Sequence, residues 1–133
     1  MSNYLSLPGA VANATMATSQ YRAVRLSGTA PFEVALITDA SVQVPVGILQ
    51  DDPDAAGKGC DVAIVGVCKA EFGGSVSINN HLSVSNNGQL IAAPFESPIG
   101  TANLYVIAQA LEAGAVNTRG MVKLLSPVPG SLE

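Results

Sequence analysis

From Tyr21 onward the chain alternates short apolar runs with breaks rich in Gly, Pro, Asn and Asp. Tyr21-Arg-Ala-Val-Arg-Leu alternates and stops at Ser27-Gly28-Thr29-Ala30-Pro31. Phe32 to Thr38 reads as a second strand and Val42 to Gln50 as a third, with Pro45 and Gly47 inside it. Proline has no N–H to give a central ladder, so the third strand is expected to bend or to lie at an edge. Asp51 to Gly59 is an acidic loop. Cys60 to Glu71 is nearly continuously apolar and is the strongest strand signal in the chain. Gly73-Gly74 turns the chain, and Val76-Ser-Ile and Leu82-Ser-Val follow around Asn79-Asn80-His81. Asn86-Asn87-Gly88 then separates Leu82-Ser-Val from Leu90-Ile-Ala, and Asn-Gly between apolar runs is a strong hairpin signal.

Pro94 to Asn103 reads as a loop. Leu104 to Leu111 suits a strand, although Ala-Gln-Ala-Leu-Glu-Ala suits one short helix as well. Gly114 to Gly120 turns, Met121 to Leu125 is the closing strand, and Pro127 and Pro129 are expected to end regular structure. Many short strands with Gly/Pro turns define an all-β chain, a small β-barrel or β-sandwich over residues 21–125. Residues 1–20 show neither the helical period nor clean alternation. They are expected to form an extended N-terminal arm, with room for a short strand or turn, held down by a neighbouring subunit, whose removal leaves the barrel folded. Residues 126–133 are expected to form a C-terminal tail. Gly47-Ile-Leu-Gln, loop, Val62-Ala-Ile is weakly echoed by Val106-Ile-Ala-Gln, loop, Val122-Lys-Leu.

Composition modifies this picture in one respect. The 133 residues are 48% hydrophobic, but Ala and Val dominate, aromatics are 5%, and there is no Trp. Such a core yields modest stabilisation for its residue count. Charged residues are only 12%, about half the usual share. Charge keeps surfaces apart, so its scarcity implies that neighbours cover much of the exterior. A net charge of −4 argues against nucleic acid, which selects basic patches. No run approaches the roughly 18 apolar residues of a membrane span. Met1 to Pro8 lacks the basic and apolar regions of a secretory signal, so folding in the cytoplasm is expected.

No residue pattern in the sequence marks a catalytic, cofactor or metal site. The one histidine, His81, lies among Asn and Ser, with no nucleophile in a recognisable pattern beside it. Cys60 and Cys68 flank a strand that would separate them by roughly 26 Å, too far for a disulfide, and read as free thiols. Asp52 and Asp54 fill the first two positions of a calcium loop and Gly57 its turn, but Ala56 and Ala63 stand where carboxylates belong. Gly57-Lys58-Gly59 lacks the first Gly and the Ser or Thr of a phosphate loop. Lys123 resembles a carrier-domain lysine, yet it sits inside a strand and should simply face outward. Asn13-Ala-Thr15 is a glycosylation sequon relevant only to a secreted chain.

The order of segments is more informative than any single motif. Val46-Gly-Ile-Leu-Gln, the acidic loop and Val62-Ala-Ile-Val-Gly-Val come first. Lys69-Ala-Glu-Phe-Gly-Gly-Ser-Val-Ser, Leu82-Ser-Val-Ser-Asn-Asn-Gly, Ile107-Ala-Gln-Ala-Leu-Glu-Ala-Gly and Val122-Lys-Leu-Leu follow. Over about Tyr21 to Leu125 this series resembles the small capsid decoration (cement) proteins of tailed bacteriophages. The resemblance implies a structural virion protein, not an enzyme, without cofactor. It would be made in the host cytoplasm and bound to the outer surface of an assembled capsid, which it stabilises. The implied partners are the major capsid protein and copies of the chain itself, as a homotrimer, with no nucleic acid and no membrane. The reading from a different class is a small-ligand or glycan-binding β-module. Its aromatic platforms would have to come from Tyr4, Tyr21, Tyr105, Phe32, Phe72 and Phe95.

Overall fold

The computed structural model of the chain describes residues 3–40, 42–92 and 105–129, and among them there is no helix. Strand β1 spans Asn3–Ser6, β2 Val11–Ala12, β3 Ala23–Leu26, β4 Glu33–Leu36 and β5 Pro45–Leu49. Strand β6 spans Val62–Glu71, β7 His81–Val84, β8 Leu90–Ala92, β9 Tyr105–Ala110 and β10 Arg119–Pro129. The all-β expectation holds.

The strands form one sheet in the order β2-β4-β3-β5-β6-β10-β9-β7-β8, with β1 also paired to β6. All these pairs are antiparallel except β2 with β4. The ladder is open, so the sheet is neither a continuous barrel nor two separate sheets. Isolated bridges roll it back on itself instead: Phe72 meets Leu90 beyond the end of β6, and Val11 of β2 meets Gly59 just before β6. Strand β6 therefore belongs to both curls. It pairs β5 at Val62 and Ala63, β1 from Ala63 to Val67, and β10 from Val67 to Glu71.

Period-2 alternation on central strands feeds two cores. Ala23, Ile48, Ala63, Cys68 and Ala70 enter a larger core with Phe72, Leu82, Leu90, Ile107 and Val122. Their sequence neighbours Val24, Leu49 and Val62 enter a second core with Ala10, Ala12, Met16 and Val34. Burial on both faces is why β5 and the first part of β6 read as unbroken apolar runs.

Four expectations change. Residues 3–20 are held by the chain's own strands, because β1 pairs β6, β2 pairs β4, and Met16 is 1% exposed in the second core. Truncation there would open that core. The segment weighed as a helix is β9, since pairing to β10 and β7 overrides the intrinsic helical preference of Ala, Gln and Leu. Strand β5 is central, between β3 and β6; Pro45 starts the strand, and the pairing shifts register beside it. Strand β10 continues through Pro127 to Pro129, with the register shift between Leu124 and Val128 absorbing the missing donors. The loop expected over 94–103 lies outside the described residues. Both halves of the echo are antiparallel strand pairs, β5–β6 and β9–β10.

Candidate interaction surfaces

The residues considered for chemistry stay apart. His81 opens β7, half-buried and opposite Gln109. Cys60 and Cys68 are free, and burial pushes their thiols up to about 11 and about 12, which suppresses the reactive thiolate. Asp54 pairs with Lys58 at 3.0 Å, whose hydrogen bond and charge hold the carboxyl below its usual range. Asp51 is half-buried and shifted upward, chiefly by loss of water. Among the described residues, no group of three His, Cys, Asp or Glu side chains could hold a metal ion. Lys123 is exposed on β10, as expected of an outward-facing strand residue.

The polar contacts that do converge lie at the far end of β6. Glu71 is only 7% exposed. Its carboxylate faces Arg22 Nε at 3.5 Å and accepts a hydrogen bond from Gln89 Nε2 at 2.9 Å. Gln89 also donates to Asn117 Oδ1 at 2.8 Å, so one buried carboxylate ties four segments together. Such a charge is tolerable in the interior only when its partners remain in place. Beside this network Tyr21 has φ 71, an unfavourable backbone region for a bulky residue. Its N–H donates to Leu49 O and its carbonyl accepts from Glu71 N–H, which fixes the backbone that carries the ring. Arg119 and Lys69 lie over that ring at 4.9 and 5.5 Å from its centroid.

These cations belong to a larger exposed face. Cys68, Ala70 and Val122 are fully buried, so alternation turns Val67, Lys69, Arg119, Met121 and Lys123 outward. The register places Met121 opposite Lys69 and Lys123 opposite Val67. The same face continues onto β1, where Leu5 (65% exposed) stands opposite Val65 (55%) and Asn3 opposite Val67. The result is an apolar end beside a basic end. Within the sequence the alternation marks Lys69 and Lys123 as outward-facing, but their adjacency depends on the β6–β10 register, which no local pattern encodes.

A second surface lies at the β3–β4 turn. Ser27 Oγ and Thr29 Oγ1 donate to Glu33 Oε1 at 2.6 and 2.7 Å, lowering the Glu33 carboxyl below its usual range. The turn so fixed presents Phe32 at φ 61 and 51% exposed. Leu26 joins this turn to an open groove of about 470 Å³ lined also by Val44, Pro45 and Val46.

The class defined by these features is an all-β rolled sheet with two exposed, partly apolar surfaces and no metal-holding cluster of side chains among the described residues. No family model matches the sequence, and no curated protein sequence matches it. The fold is similar to a solved structure, the head fiber gp8.5 N base in bacteriophage phi29. The TM-score is 0.64 at 12% identity, over 96% of this chain and 97% of that one. At that identity the likeness establishes a shared fold.

Proposed function

We propose that the chain is a structural protein of a bacteriophage virion, not an enzyme, which binds the outer surface of an assembled capsid and stabilises it. The observation that carries this reading is the end-to-end fold likeness to a phage head fiber base. The order of sequence segments, the charge-poor composition and exposed apolar residues such as Leu5, Phe32 and Val65 are in keeping with it. The partners in this reading are the major capsid protein and further copies of the chain, as a trimer.

The mechanism is linkage. A protein that binds only the assembled shell stabilises it by RT ln(1 + [L]/Kd), about 2.7 kcal/mol at a hundredfold excess over Kd. A trimer touching several shell subunits would have to break its contacts together before leaving, which raises avidity without new contacts. The test is to add the purified chain to shells assembled from the major capsid protein encoded in the same genome. Co-sedimentation with a saturating copy number and a higher shell disruption temperature is the expected result. Absence of binding to both unexpanded and expanded shells would overturn the reading.

A further inference from the structure

We infer that the outward face of β1, β6 and β10 is the docking face, and that its basic end receives an acidic patch on the partner's surface. The inference rests on the capsid-binding reading and adds the face and the chemistry of what it meets. Lys69, Arg119 and Lys123 account for half of the six cations in a chain of net charge −4. Two-residue steps on a strand are roughly 6.6 Å, so Arg119, Met121 and Lys123 span roughly 13 Å of one face. Lys69 lies beside Met121 in the neighbouring strand. Two carboxylates flank this stripe, Glu71 opposite Arg119 in the ladder and Glu112 beside Met121, and they offset only part of its charge. Glu71 is buried and engaged with Arg22 and Gln89. Glu112, at the margin, accepts a hydrogen bond from Met121 N–H at 3.1 Å.

Two observations argue that the face is prepared for a partner. Tyr21 is held in an unfavourable backbone conformation by hydrogen bonds at both its N–H and its carbonyl, and its ring lies beneath Arg119 and Lys69. Strain of this kind persists where the surroundings over-determine it, typically at functional surfaces. Long cationic side chains resting on a ring also have less rotamer freedom to lose on binding. Leu5 and Val65 then add exposed apolar area next to the charges, the mixture found where a desolvated centre meets a polar rim. A second copy is the weaker occupant, because the chain's own acidic loop is partly spent. Asp54 is paired with Lys58 and Asp51 is half-buried, which leaves Asp52 as the exposed, unengaged carboxylate of that loop.

The experiment compares three proteins on expanded shells of the capsid protein from the same genome, at low and high salt. The first is wild type, and the second carries Lys69→Gln, Arg119→Gln and Lys123→Gln. The third carries Thr15→Glu, Ser75→Glu and Ser77→Glu, which shifts net charge equally through exposed positions elsewhere. Circular dichroism confirms the fold of each. We expect the glutamine variant to bind about tenfold or more weakly and to lose most of its salt dependence, with the charge-matched control near wild type. Equal binding by all three proteins would overturn the docking face and leave the capsid reading intact. Equal loss in both variants would show a net-charge effect and also overturn the face. Self-association abolished only in the glutamine variant, with shell binding retained, would reassign the face to contacts between copies. No shell binding by wild type overturns the capsid reading and this inference together.

Discussion

Tyr4 and Ser6 both donate to the Asp61 carboxylate, which fastens β1 against the start of β6. The hydrogen bond to Asp61, followed by burial, raises the Tyr4 phenol from 10.0 to about 12. A raised phenol pKa means that the folded chain favours the protonated form. The associated stability is therefore complete below about pH 10 and is lost as pH rises through about 12. Chemical denaturation of wild type and Tyr4→Phe should show a constant gap up to about pH 10 that closes above it. A gap unchanged at pH 12 would remove the clasp from the account. Gly114 offers a harder constraint, since a Cβ there would overlap the Phe72 ring, itself fully buried. Gly114→Ala should cost about 1–3 kcal/mol, measured as a lower urea midpoint with unchanged slope.

Among the elements, the hairpin β7–β8 was the most legible: Asn87-Gly88 precedes the pairing Val84 with Leu90, and Gly88 takes φ 87. The long apolar run of β6 was legible too. Its partners were not, because register with β1 and β10 depends on residues 48 to 64 positions away. The first twenty residues misled for a different reason. Ala10 and Ala12 do alternate, but two small residues on β2 and its approach, followed by a lone Met16, are too short a pattern to distinguish a strand from an arm. Their burial carries a consequence for truncation. Deleting Met1–Gln20 removes Ala10, Ala12 and Met16 from the second core and β1 from β6. The shortened chain should lose its cooperative thermal transition, and one that melts like the full chain would contradict the packing described here.

At the scale of the whole molecule, β3, β5 and the start of β6 present one face to each core, so the two cores are expected to melt together. Met16→Ala in one core and Leu90→Ala in the other should each lower a single transition by about 2–5 kcal/mol. Far-ultraviolet dichroism and tyrosine fluorescence should report the same midpoint, whereas two separated midpoints would mean that the curls unfold independently. The proposed docking face is legible only at this scale, since Tyr21, Lys69, Arg119 and Lys123 come from three distant parts of the chain. The sharing of β6 also sets an order in time during synthesis. Ala70 waits for Gly120, fifty residues later in the chain. At roughly 5–20 residues per second, that leaves a largely apolar strand without its β10 partner for roughly 2.5–10 s. Lys69 within the run and the φ 114 conformation at Gly66 interrupt it during that interval. A charge and a break inside an exposed apolar strand discourage pairing with another nascent chain. The lysine that faces outward in the finished sheet also guards the strand while the protein is being made.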